Sequence, residues 1–95
     1  MYLRMIIGET INDDQLQEFQ NIFKEECVEI LREELGFQRG DLAVEEGGRM
    51  VIIMTVWDTR DNCLKHHSSR AYRQFFAKTQ HLLVGDVVVK VFRLE

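Results

Sequence analysis

The chain has no proline, only two cysteines and a single tryptophan. It also lacks any uninterrupted apolar run near the about twenty residues that a membrane-spanning helix takes. Nor is there an excess of positive charge, since 12 Lys and Arg stand against 16 Asp and Glu, for a formal charge of −4. Each shortage excludes a class. Two distant cysteines, Cys27 and Cys63, do not make the disulfide framework of a small secreted domain, so both are read as reduced thiols. Without a basic patch there is no electrostatic footprint for a phosphate backbone, and nucleic acid is excluded as a partner. The opening MYLRMIIGET carries one Arg and an apolar run cut by Gly8, too short for the core of a signal peptide. The expectation is a cytoplasmic protein with no membrane partner.

What is present is the composition of a globular fold, 45% hydrophobic and 29% charged over 95 residues. At that length residues 1–95 form a single domain with one core. Tyr2 to Glu9 is a β-rich run. It stops at a helix start in which Asn12 serves as N-cap and Gln15 as its capping-box partner. Leu16, Phe19, Phe23, Cys27, Ile30 and Leu31 then recur at three- and four-residue steps, the stripe of an amphipathic helix that Gly36 terminates. Phe37 to Val44 and Met50 to Trp57 read as a hairpin joined through Gly47 and Gly48. A short helical turn capped by Asp58 or Thr59 follows, then a longer helix from about Ser69 with Ala71, Tyr72, Phe75, Phe76, Thr79, Leu82 and Leu83 inward, closed by Gly85. Asp86 to Leu94 is the last strand. The order β-α-β-β-α-β predicts an α+β, ferredoxin-like fold, a four-stranded antiparallel sheet with helices on one face. The third and fourth strands are apolar on both faces. A second copy is therefore expected to cover the outer face, sheet against sheet, as a homodimer.

The stretch TVWDTRDNCLKHHSSRAY, Thr55 to Tyr72, concentrates the chain's chemistry. A tryptophan ending a buried strand and a tyrosine in register with Phe75 and Phe76 are ordinary core residues. His66 and His67 are adjacent on a helical turn, about 100° apart, so at most one enters a given pocket and the other is solvated. Cys63 and His66 share a face, but Asp58, Asp61 and His67 do not join them at convincing spacing, and no metal site is assigned. Ser68 and Ser69 read as caps of the next helix, not as members of a hydrolytic triad. No glycine-rich phosphate loop follows a strand. The remaining chemical candidate is His66 beside an aromatic-lined cavity, where a near-neutral imidazole can move a proton.

A strand ending in Trp57, an acidic residue after it, His66 nine positions beyond, then serines, Tyr72 and Phe75-Phe76, together resemble the antibiotic biosynthesis monooxygenase family of dimeric α+β barrels. Gly36-Phe37 before the second strand and Leu82 to Asp86 before the last are similar to that family as well. The resemblance covers the whole chain in element order. It implies a dimeric α+β barrel with a ligand cavity between each sheet and its own helices. It also implies oxidation of a small aromatic or quinol-type substrate by molecular oxygen, with no metal, flavin or haem cofactor. On that reading His66 is base or hydrogen-bond donor, Trp57 a wall, and Tyr72 a hydroxyl donor, with Phe19, Phe23 and Phe76 lining the remainder. Haem-degrading relatives carry a histidine further along the second long helix and an asparagine on the first strand. This chain has Phe76 and Ile7 there, and His81 falls opposite the apolar stripe. A non-catalytic barrel that binds a small hydrophobic ligand or a protein partner is the alternative, since a fold does not fix a function.

Overall fold

The alternation of Tyr2–Glu9 sends Arg4, Ile6 and Gly8 to one side of a strand and Leu3, Met5 and Ile7 to the other. In the computed structural model, which describes all 95 residues, this strand (β1) lies inside a four-stranded antiparallel sheet ordered β2-β3-β1-β4. β2 (Phe37–Val44) and β3 (Met50–Trp57) form the hairpin, and β4 (Val88–Arg93) pairs with the far side of β1. All helices lie on the face that carries Arg4, Ile6, Val51, Ile53, Thr55 and Trp57, every one of them buried. These elements are the ones the sequence predicts, and no helix is long and apolar enough to cross a membrane.

The first helical segment has an instructive irregularity. It starts as α1 (Asp13–Ile22), passes through a π-helical stretch (Phe23–Cys27) and ends as α2 (Val28–Arg32). The Asn12 side chain accepts the Gln15 N–H as its N-cap. Gln15 Oε1 is buried without a partner, so the reciprocal half of the expected capping box is not made. Phe19, Phe23, Cys27 and Leu31 follow one another at four-residue steps, and in a regular α-helix each step drifts by about 40°. The wider π turn, closed by the Val28 N–H on the Phe23 carbonyl, absorbs that drift. Phe19, Phe23 and Leu31 therefore all stay buried against the sheet.

The helix ends earlier than its apolar stripe suggests. α2 stops at Arg32 and a turn runs from Glu33 to Gly36, so Gly36 is not the helix-terminating residue but the last residue of the turn, with φ +83. Similarly, α4 (Arg70–Thr79) gives way to a 3-10 turn, Gln80–Leu82, before Gly85 at φ +66. The last strand is shorter than the Asp86 to Leu94 expected from its composition. Two clusters fill the space between helices and sheet. The larger joins Ile6, Phe19, Phe23, Val51, Ile53 and Leu82. The smaller joins Leu31, Trp57 and Cys63 and supports the polar end of the molecule.

The opposite sheet face is uncovered. Leu3, Met5, Ile7, Ile52, Met54 and Val56 are half-buried there, while Val88 and Phe92 of β4 are 50% and 44% exposed.

Gly36 receives the Asp58 N–H on its carbonyl, and a Cβ added to it would collide with the Asp58 and Asn62 side chains. Gly36→Ala is expected to cost about 2 kcal/mol or more, a fall in Tm of roughly 10 °C by thermal denaturation. Gly47→Ala, at φ +75 with open space around its Cβ position, should cost less than half as much.

Candidate active site

Thr59 caps α3 (Arg60–Lys65) by accepting the Asn62 N–H, and the chain then tightens into a 3-10 turn, His66–Ser68. Ser69 caps α4 by accepting the Tyr72 N–H. The two caps leave His66 between two helices, pointing inward at 5% exposure, while His67 stays at the surface. The separation of the histidines thus follows the sequence expectation.

The His66 ring lies on Trp57, with centroids 5.0 Å apart, and meets the edge of Tyr72 at 5.5 Å. Its Nδ1 is 2.7 Å from Glu34 Oε2 and 3.3 Å from Ser69 Oγ. Glu34 comes from the turn after α2, whose early end lets its carboxylate reach inward. With Nδ1–H donating to the carboxylate, the imidazole is held in one tautomer, and Nε2, which makes no hydrogen bond and is not sealed from solvent, keeps its lone pair. Burial pulls the His66 pKa below the ordinary 6.5, and the nearby Arg4 charge adds to this, against the opposing pull of Glu34. The ring is therefore neutral at pH 7.

An open cleft of about 190 Å³ borders this group, lined by Glu34, Leu35, Trp57, Asn62, Lys65, His66 and Ser69. That exceeds the about 150 Å³ known to admit benzene in an apolar cavity. The interior differs from the expected ligand cavity. Between helices and sheet there are two small voids, about 20 Å³ beside Phe19, Tyr72 and Phe76, and about 10 Å³ beside Thr55, His66 and Tyr72. Each has room for about one water molecule, because Phe75 inserts between Phe19 and Phe23 and closes the layer.

Of the residues singled out in the sequence, His66, Trp57 and Tyr72 come together. Phe76 joins them indirectly, stacked on Tyr72 at 5.9 Å. Phe19 and Phe23 do not; they pack edge-on against Phe75 in the main core. The Trp57 indole N–H is taken by Thr55 Oγ1 at 2.9 Å, which leaves this residue as a wall with no free donor. Two members of the cluster escaped sequence reasoning. Glu34 looked like one more acid on a solvated helix face, and nothing local sets it apart. Arg4 did carry a signal, since it is the one charged residue on the core-facing side of β1. It is 1% exposed, donates from Nη2 to His67 Nδ1 at 2.8 Å, and lies 4.7 Å over the Tyr72 ring. No three His, Cys, Asp or Glu side chains converge closely enough to hold a metal ion. Burial raises both thiols, Cys27 to about 12, so neither is a ready nucleophile.

Solved structures share this architecture at low identity. SnoaB, a cofactor-independent oxygenase from Streptomyces nogalater, is 15% identical with a TM-score of 0.77, over 98% of this chain and 92% of its own. A monooxygenase from the gene ActVA-Orf6 of Streptomyces coelicolor, solved with nanaomycin D, is 11% identical with a TM-score of 0.85, over 99% and 87%. Rv0793 from Mycobacterium tuberculosis is 19% identical with a TM-score of 0.79, over 100% and 96%. At these identities the likeness establishes the fold. No curated protein sequence matches the chain significantly. The profile of one sequence family, however, matches residues 3–78, most of the chain. The chain belongs to the antibiotic biosynthesis monooxygenase family.

Proposed function

We propose that the protein is a cofactor-independent monooxygenase that oxidises a small aromatic or quinol-type substrate with molecular oxygen, using His66 as the base. The observation that carries this reading is the buried His66 ring, held through Nδ1 by Glu34 and bordering a cleft large enough for one aromatic ring. Two of the similar structures are themselves described as a monooxygenase and a cofactor-independent oxygenase.

The chemistry asks little of the protein. His66 Nε2 takes a proton from an activated ring carbon or hydroxyl, and Glu34 stabilises the imidazolium that forms. For a ring CH2, the resulting anion adds oxygen to give a peroxide anion. This takes the proton back from the His66 imidazolium, and the hydroperoxide loses water, leaving a ketone. One oxygen atom ends in the product and the other in water, and the substrate supplies all the electrons. Trp57 forms a flat wall for the ring, and larger substrates project through the open mouth of the cleft. Binding without turnover is the second reading, favoured by the closed interior, which offers no dry cavity of substrate size.

Oxygen uptake with a panel of reduced quinones and anthrones separates the two. His66→Ala is expected to lose on the order of 10²-fold or more in rate. Equal rates in native and variant chains remove His66 from the mechanism, and binding without uptake supports the second reading. The pH profile carries a sign. Because the His66 pKa is depressed, the rate should rise with pH through a value below 6.5 and be flat from neutrality upward. Glu34→Gln removes the charge that raises that pKa, so the rise should shift to lower pH.

The active form in this reading is a homodimer that buries the outer sheet face. Leu3, Ile7, Met54 and Val56 form an apolar surface that a two-fold axis can make self-complementary, with Arg39 and Asp41 at one edge. Light scattering should give twice the 11.2 kDa of the chain, and Met54→Lys should return it to 11.2 kDa with the helical signal kept. A native monomer at micromolar concentration contradicts the dimer.

A further inference from the structure

Arg4 is the least expected residue of the interior. It sits on the helix-covered face of β1, paired across the sheet with Thr55 of β3 and Val91 of β4, at 1% exposure. A buried charge is costly unless it is paired and fully hydrogen-bonded. Arg4 has no carboxylate partner. Nη2 donates to His67 Nδ1, the Tyr72 side chain also stabilises the charge, and Nη1 is buried with no hydrogen-bond partner. The nearest acid, Glu34, is committed to His66 at 2.7 Å. The other groups close enough to affect Arg4 are Tyr72, whose ring it covers, and Cys63, a wholly buried thiol whose pKa is raised by desolvation. The thiol, its pKa raised by burial, supplies no negative charge at neutral pH. The patch thus holds a cation with an open donor, surrounded by aromatic rings: Tyr72 at 4.7 Å from Arg4, then His66 and His67 at 5.5 and 5.1 Å from Tyr72.

We infer that Arg4 is an anion-binding residue that receives an ionised oxygen group, carboxylate or acidic phenolate, carried on an aromatic ligand. The oxyanion takes Nη1 and Nη2 together, the fork geometry that guanidinium offers and a lysine does not. To do so it displaces the His67 ring, which is at the surface and covers Arg4 through a single hydrogen bond. The ligand's ring then takes the place of the His67 ring beside Tyr72. The inference deepens the oxygenase reading by naming the substrate's charge, and it rests on that reading only for the ring's approach to His66. An aromatic acid anchored at Arg4 would present a second acidic position to the base, both groups being within 5.5 Å of the same Tyr72 ring.

The test needs no turnover. Trp57 is the only tryptophan, so its fluorescence reports binding of single-ring nitroaromatics by quenching. Three probes suffice near pH 8.5: 4-nitrobenzoate and 4-nitrophenolate, both ionised, and uncharged 4-nitroanisole. The native chain should bind at least one anion about tenfold or more tighter than the neutral probe, and which anion wins separates carboxylate from phenolate. Arg4→Met should abolish the preference. Lys65→Met, which removes the cation that lines the cleft, should leave it, and His67→Ala, which uncovers Arg4, should tighten anion binding several-fold. Equal affinity for charged and neutral probes, or a preference lost with Lys65→Met, overturns the inference. Should Arg4→Met not fold, the Arg4 guanidinium resonances of the native chain decide: they must shift on adding 4-nitrobenzoate, and their failure to move is equally fatal. Anion binding without oxygen uptake leaves this inference standing and removes the oxygenase reading, whereas His66-dependent uptake without anion preference does the reverse.

Discussion

The hydrogen bond between Glu34 Oε2 and His66 Nδ1 ties the end of the first helical segment to the turn that opens the second. Residues 32 positions apart are held at 2.7 Å across a nearly dry contact, and each part of the surrounding structure serves that closeness. The π-helical stretch keeps Leu31 against Trp57 and Cys63. The early stop at Arg32 turns Glu34 inward, and the caps at Thr59 and Ser69 confine His66 to a three-residue turn. Without the carboxylate, neither the tautomer nor the direction of the imidazole lone pair would be fixed.

Electrostatics in this region are unbalanced in an informative way. The His66–Glu34 pair is locally satisfied, whereas Arg4, on the other side of Tyr72, is buried with an open donor. Burial and the Arg4 charge both push His66 toward its neutral form, the form a base requires. Tyr72 is the common neighbour of Arg4, His66, His67 and Phe76. It therefore couples the cation to the base by packing, although no hydrogen bond joins them.

The fold was largely legible in the linear pattern because strand alternation, helical spacing and caps are local properties. The β1, β2 and β3 limits, the Asn12, Thr59 and Ser69 caps and the positive φ of Gly47 all follow from residues within a few positions of each other. The helix ends were read less well. The apolar stripes run on past Arg32 and Thr79, but turns there satisfy the same burial with a different backbone. At the site, Trp57, His66 and Tyr72 were legible because fifteen residues of chain place them on consecutive elements. Phe19 and Phe23 were drawn toward the site by their type alone, and packing assigned them to the core with Phe75.

The sequence by itself determined the order and kind of elements, the inward face of each, and that no more than one of the two adjacent histidines turns in, because these depend on periodicity and capping over short spans. Only the tertiary structure decided that Glu34 meets His66, that Arg4 is buried over Tyr72 without a counter-charge, and that the space between helices and sheet is closed. Those facts arise where separate elements pack, and no local pattern records how two distant side chains fit into one volume.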